Sequence, residues 1–266
     1  MSNGKYLEAL IEGGINLAEK VGARAIVVMT PIEPDAISTD LPVVIIGSSF
    51  MRQGNRVFLP LSPALGLKNV LNIITAYLLD NDFISEGDSF VYITPDSVGI
   101  KEARKGSILK KAFFTSHQSV FQSLLDIVIE LATEGREGKP VGALFVLGDT
   151  RNVQRHSHQM VPNPFKGHNL NVLEKRTKEI IKEFAFLDGA FLIAKNGRVM
   201  AAGRYLDVDA KKLGVEVPQG LGSRHIAAAG ITKVTKAIAI TLSESGVIRI
   251  FRDGEMILEY NPRIVY

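Results

Sequence analysis

The sequence predicts an α/β protein, with an N-terminal parallel α/β layer domain followed by a mixed-sheet α/β domain. Three observations carry this. Through the first hundred residues, short continuous apolar runs alternate with longer segments of helical periodicity, as in strands buried between helices. In the second half, apolar runs come in close pairs joined by turn residues, as in antiparallel hairpins. The chain has 266 residues, 46% of them hydrophobic, enough for one large domain or two of ordinary size with packed cores.

The elements follow in order. Residues 4–20 set Leu7, Leu10, Ile11, Ile15 and Leu17 at spacings that make one face of a helix. Ala25 to Met29 is a β-branched run and predicts a buried strand, with Pro31 and Pro34 in the loop after it. Val43 to Ile46 predicts a second strand, ended by Gly47-Ser48-Ser49, and Arg56 to Leu59 a third. Residues 67–80 predict a helix and Phe90 to Ile93 another strand. Residues 95–111 are polar and basic, with Lys101, Arg104, Lys105, Lys110 and Lys111, and are expected to connect two domains, 1–111 and 112–266.

Past that stretch, residues 113–134 predict a helix with Phe121, Leu124, Leu125, Val128 and Leu131 on one side. Val141 to Leu147 is a strand and residues 171–184 a helix. Phe191 to Ala194 and Val199 to Ala202 flank Asn196-Gly197, a strong hairpin signal. A helix starts at residues 223–230. Ala237 to Leu242 and Val247 to Phe251 form another hairpin pair, with one more strand at Met256 to Tyr260.

Composition narrows the function. The net charge is +3, too mild for a broad nucleic-acid-binding face. Without cysteine there are no disulfides and no thiolate metal sites. No apolar run approaches the ~18 residues of a membrane helix, and the N-terminus has no apolar signal core. A cytoplasmic protein is expected, with no nucleic-acid or membrane partner. The phosphate loops GxxxxGK[ST] and strand-following GxGxxG are absent, as is the hydrolase elbow GxSxG.

Two short motifs stand out against this background. Asp188-Gly189-Ala190 sets a carboxylate beside a glycine at the head of an apolar strand. Asp-Gly pairs are usually plain turns, but here the glycine also allows close approach to the backbone. Gly222-Ser223-Arg224-His225 opens a run of small helix formers. Ser223 is suited to cap that helix. Two cationic residues in a first helical turn oppose the helix dipole, so their presence favours an anion there, and phosphate above all. A carboxylate for metal and hydroxyl, with cations for phosphate, points to chemistry on a nucleoside triphosphate. Ser243-Glu244 ends a strand and is either a polar hairpin tip or a second acidic group for metal or ribose. His156, His158 and His168 share a loop region, but their spacing fits no standard zinc pattern.

These motifs, in their order, resemble the diadenylate cyclase domain over about residues 115–260. They are Gly142-Ala143-Leu144-Phe145-Val146, Gly148-Asp149-Thr150, Asn163-Pro164-Phe165-Lys166-Gly167, Asp188-Gly189-Ala190, Ser223-Arg224-His225 and Ser243-Glu244. The first half, through Gly22 to Val28 and Leu41 to Ile46, resembles a pyruvate-kinase α/β-like domain. That order is the archaeal-type diadenylate cyclase arrangement. The resemblance implies condensation of two ATP molecules into cyclic di-AMP, releasing two pyrophosphates. It makes Asp188 the metal-holding aspartate near the attacking 3′-hydroxyl, with Gly189 beside the ribose and Ala190 a further nucleotide-binding residue. Leu206 falls at the adenine. Ser223, Arg224 and His225 fall at the triphosphate, and Ser243 and Glu244 at the family's Ser-Glu, with Glu244 a second metal ligand. A divalent ion, Mn²⁺ or Mg²⁺, is the implied cofactor. Two departures are Ile226, where the family often has a second arginine, and Ser245, where it often has a second acid.

A single Asp-Gly-Ala implies one ATP site per chain, so two chains must face each other to close both phosphodiester bonds. A homodimer contact, within a homo-oligomer of unstated size, is expected. The competing expectations are a catalytically silent adenine-nucleotide sensor and, for the first half alone, a small-molecule regulatory domain with its ligand at Gly47-Ser48-Ser49.

Overall fold

The computed structural model describes residues 2–30, 37–46, 51–59, 61, 65–104, 118–135, 137–209, 212–215 and 220–262. Pro31, Pro34, Gly47-Ser48-Ser49 and residues 105–117 of the basic stretch and the helix after it lie outside these. The chain divides into two compact units, residues 1–111 and 112–266. Among the described residues, no helix is long and apolar enough to cross a membrane.

The first unit runs α1 (Ser2–Val21), β1 (Ala25–Val28), β2 (Val43–Ile46), β3 (Met51–Gln53), β4 (Arg56–Leu59), α2 (Leu67–Asp80), β5 (Ser89–Ile93) and β6 (Val98–Glu102). Its sheet order is β3-β4-β2-β1-β5-β6. The four inner strands are parallel, with Ile26 opposite both Val43 and Val91. β3 and β6 close the two edges as antiparallel hairpin partners of β4 and β5. All residues of β1 and β2 are buried, as their unbroken apolar runs require. Each such Val or Ile contributes about 1.5–3 kcal/mol on burial.

α1 lies against β1 and β5 because Gly14 lets it. A β-carbon there would come 2.5 Å from Cδ1 of Ile93. The helix stops at Gly22, whose φ of +64° lets Ala23 N–H donate back to the Ala18 carbonyl at 2.9 Å. The edge strands were not expected. β3 is wholly exposed and β6 has no fully buried residue, which gives neither an apolar run. β6 takes residues 98–102 out of the stretch read as connector, because Thr94 with Asp96 and Ser97 folds the chain back along β5.

The second unit runs α3 (Gln118–Glu134), β7 (Ala143–Leu147), α4 (Thr150–Arg155), β8 (Ser157–Gln159), α5 (Lys175–Phe184), β9 (Ala190–Ile193), β10 (Val199–Leu206), α6 (Ser223–Val234), β11 (Ile238–Leu242), β12 (Ile248–Arg252) and β13 (Glu255–Tyr260). Its sheet order is β13-β12-β11-β7-β9-β10-β8. Only β7 and β9 run parallel, and every other neighbouring pair is antiparallel. The mixed sheet expected from the hairpin signals is present. β7, β9 and β11 are buried throughout. On α6, the small residues Ala228 and Ala229 pack with Ile231 against Ala239, Phe251 and Leu144.

Two conspicuous motifs are structural fasteners. Asp149 sits at φ +41°, between β7 and α4. Its carboxylate accepts from the Asn152 amide at 2.9 Å and from the Lys236 backbone N–H at 2.9 Å. Burial raises its pKa, and those donors outweigh burial and hold the carboxyl below its ordinary range. Asn163 donates to the Met200 carbonyl and accepts from Phe165 and Ala202 N–H, pinning the 163–167 turn to β10. Phe165 is buried there against Phe184 and Phe191.

Candidate active site

A pocket of about 290 Å³ opens where β9 begins, β10 ends and α6 begins. Asp188 and Gly189 form its rim, Ala190 and Leu206 line it from the sheet, and Ser223 and Arg224 line it from the helix. Ala190 pairs with Leu144 on β7 and with Arg204 on β10, so these strands hold the aspartate at one place on the sheet.

Gly189 is forced to be glycine. Its φ is +97°, and a β-carbon would lie 2.8 Å from the Arg204 nitrogen and 2.9 Å from the Arg204 oxygen. β10 crosses directly over it. The pairing register slips between Ala201 and Arg204, with Gly203 at φ +68° inside the bulge. A bulge bends its strand and re-aims the side chains after it. Here it lengthens β10 to Leu206, beyond the expected end at Ala202, and brings Arg204, Tyr205 and Leu206 to the pocket.

Arg224 reaches across from α6. Its Nη2 lies 3.4 Å from Oδ1 of Asp188, and the aspartate side chain is 81% exposed. The guanidinium has room because residue 142 is glycine: a β-carbon there would lie 2.8 Å from Nη1 of Arg224 and 3.5 Å from Cγ of Glu244. Arg224 and Glu244 therefore flank Gly142. The helix is capped by Gly222, with Ser223 as its first residue. Its first backbone bonds are donated by His225 and Ile226 to the Gly222 carbonyl, at 3.0 and 3.4 Å. The N–H groups of Ser223 and Arg224 precede that ladder and suit an anion.

The other expected site residues are placed differently. His225 is 7% exposed and does not line the pocket. Its Nε2 lies 3.2 Å from Nη1 of Arg249, and its ring packs edge-on near Phe251. Burial, then Arg249, then Arg224 lower its pKa against the opposing Gly222 carbonyl and Glu259. Ser243 completes a hairpin tip: its Oγ pairs with Ser245 and Val247. Glu244 is exposed and reaches the site only through its neighbour Gly142.

Among the described residues, no three His, Cys, Asp or Glu side chains gather as a metal-holding group, and His156, His158 and His168 do not come together as one. His158 instead pairs with Asp207 at 2.8 Å and lies beside the Tyr205 ring. Asp188 still fits a hard cation. It offers an exposed carboxylate, and Mg²⁺-type ions take one or two carboxylates with the remaining oxygens from phosphates and water.

Two cations beside the site escaped the sequence. Arg204 lines the pocket while its guanidinium holds β8, donating to the Ser157 carbonyl at 2.7 Å and to Ser157 Oγ at 3.0 Å. Burial lowers its pKa from the ordinary arginine value. Arg249 lies under α6. Gly203 before Arg204 was the available signal for the first, whereas a lone arginine in an apolar strand gave none for the second.

The site residues from Asp188 to Glu244 fall in one recognisable segment. Residues 130–256 match the DAC family, described as DisA bacterial checkpoint controller nucleotide-binding. Residues 6–110 match DacZ_T, described as a probable sensor domain. For the first unit this match takes the place of the pyruvate-kinase likeness expected from sequence. The diadenylate cyclase of Methanocaldococcus jannaschii is 44% identical over 170 residues, covering 62% of this chain and 54% of that protein. That of Haloferax volcanii is 44% identical over 144 residues, covering 54% of this chain and 53% of its own. The chain thus spans about half the length of these relatives. Among solved structures, DacA from Staphylococcus aureus aligns over 52% of this chain and 83% of its own, with 24% identity and a TM-score of 0.35.

Proposed function

We propose that this protein is a diadenylate cyclase, that residues 112–266 form its catalytic unit, and that ATP is its substrate. The observation that carries the proposal is the Asp188–Arg224 pair. An exposed carboxylate and a guanidinium lie 3.4 Å apart, on the rim of one pocket and beside a helix N-terminus. The DAC match over the same residues and the relatives at 44% identity support it.

The reaction is a pair of in-line displacements. In each, a 3′-oxygen forms a bond to the α-phosphorus of the other ATP. The bond from that phosphorus to the bridging oxygen breaks, pyrophosphate leaves, and the hydroxyl proton is released. Asp188, with Glu244 as the second proposed ligand, would hold a divalent ion, Mn²⁺ or Mg²⁺, which would acidify the hydroxyl and screen phosphate charge. Arg224, with the Ser223 hydroxyl and the first N–H groups of α6, holds the triphosphate and favours the departing pyrophosphate. Gly189 and Ala190 give the ribose a flat approach, and Leu206 forms an apolar wall for the base. His225 belongs to this machinery as support for Arg224 and not as a phosphate ligand.

Each chain holds one such pocket, and each ATP must attack the other. Two copies therefore face each other through the pocket rim, where Met160, Tyr205 and Ile226 are exposed apolar side chains. Purified protein incubated with ATP and Mn²⁺ or Mg²⁺ is expected to release cyclic di-AMP and pyrophosphate, read by mass spectrometry. Bound but unconverted ATP would replace this proposal with the silent-sensor alternative.

A further inference from the structure

A chain of three side chains runs beneath Arg224 without entering the pocket. Glu259 on β13 accepts from Nε of Arg249 on β12 at 2.6 Å. Nη1 of Arg249 then lies 3.2 Å from Nε2 of His225 on α6. The Arg249 side chain is 13% exposed.

The chemistry of this chain has one solution. A guanidinium has five donors and no acceptor, so at 3.2 Å the imidazole must accept through Nε2. The ring is then neutral, with its proton on Nδ1. The Nδ1 atom is itself buried, and the Gly222 carbonyl is the neighbouring backbone group that favours a proton on the ring. A protonated ring would set two cations face to face inside the protein, with Arg224 as a third on the adjoining residue. Glu259 is the anion facing this group, and its near oxygen is already engaged by Arg249.

The ring is thereby fixed in one tautomer and one place, against Phe251 on one side and Arg249 on another. His225 follows Arg224 directly in the first turn of α6, so the seat of the ring fixes the seat of that turn. We infer that Arg249 is a positioning residue: by donating to His225 Nε2 it locks the first turn of α6 and aims the Arg224 guanidinium at Asp188 and the substrate phosphates. Arg249 touches no substrate. Its effect on turnover rests on the cyclase proposal, but its effect on the imidazole does not.

The test uses the full chain with ¹⁵N-labelled histidine, the His225 signals being assigned by His225→Gln. Wild type is expected to show a neutral His225 ring protonated on Nδ1 at pH 7. In Arg249→Met the ring is expected to lose that single tautomer and to protonate at higher pH. KM for ATP should rise about tenfold, with kcat changed less. Arg249→Lys, which restores a donor, should recover most of both effects. Affinity for α,β-methylene-ATP with Mg²⁺ should fall by a similar factor, and it is read without turnover. An absence of cyclic di-AMP in wild type would therefore remove the cyclase proposal and leave this one standing or falling on binding and tautomer. A wild-type ring charged at pH 7, or protonated on Nε2, overturns the inference. So does a folded Arg249→Met with wild-type tautomer and analogue affinity. Should Arg249→Met fail to fold, the wild-type tautomer and the Lys variant decide.

Discussion

Both units build a mixed sheet, yet Arg24 of the first and a group of three arginines in the second are placed differently. In the first unit Arg24 is 69% exposed and lies a loose 3.9 Å from Asp88. It borders a wide crevice of about 680 Å³ at the amino ends of β1, β2 and β4, where Glu19, Asp40 and Arg56 mix both signs of charge. In the second unit Arg204, Arg224 and Arg249 are all partly or largely withdrawn from solvent within one small region. Withdrawing a guanidinium from water is costly unless acceptors surround it. Arg204 is satisfied by the carbonyl and the hydroxyl of Ser157 on β8, and Arg249 by a carboxylate and an imidazole. Among the described residues, Arg224 has a single polar contact, at 3.4 Å to an exposed aspartate. The difference separates scaffold from proposed tool: two of these three are tied down, and the third is the one we propose to meet the ligand.

The largest expected effect tests the tool itself. Asp188→Asn keeps the shape and removes the charge, so cyclic di-AMP synthesis should fall at least about 100- to 1,000-fold while the melting temperature holds. Near-wild-type product from the variant would remove Asp188 from the chemistry. Arg224→Ala comes next. A charge-assisted phosphate contact of about 2–3 kcal/mol predicts a loss of about 30- to 150-fold in kcat/KM. Unaltered steady-state kinetics would place Arg224 among the tied-down arginines instead.

A pH titration sharpens the contrast further. His225 has a folded pKa below its unfolded value of about 6.5. The unfolded chain then binds the proton more readily, so this residue's contribution is intact above pH ~6.5 and is lost as pH falls towards the folded pKa. Denaturant melts of the second unit should weaken on acidification below about pH 6.5, and His225→Gln should flatten that slope. An identical slope in the variant would assign the acid sensitivity elsewhere. The smallest effect compares glycines. Gly54 in the first unit has φ +62° and open space around it, so Gly54→Ala should cost about 1 kcal/mol. Gly189→Ala adds a clash with the β10 backbone and should cost about 2–3 kcal/mol or more. Equal losses in chemical denaturation would mean that β10 moves aside.

What the sequence revealed follows the same division. Strands β1, β2, β4 and β5 were legible because burial on both faces leaves an unbroken apolar run. The edges β3 and β6 were not, since an edge strand in water looks like a polar loop. The places of Asp188 and Arg224 at one pocket were legible because each lies within two residues of a glycine at the start of an element, where a charge has little packing duty. The seat of His225 was not, because a histidine in a first helical turn reads as a ligand until the strand beneath it supplies an arginine. Arg249 lies 24 residues further on, and only the fold joins the two.

The order of assembly follows from the strand order. The first unit has all its strands once residue 102 is made, since β1 lies between β2 and β5 and β6 is its edge. The second must wait. Its early strand β7 lies between β9 and β11, and Asp149 finds its Lys236 donor only 87 residues later. The bed under Arg224 needs Glu259, in the last strand of all. Contacts so distant along the chain form slowly. During synthesis the carboxylate rim therefore emerges long before the arginine opposite it is aimed, and a nascent chain carries half a site until its final hairpin closes.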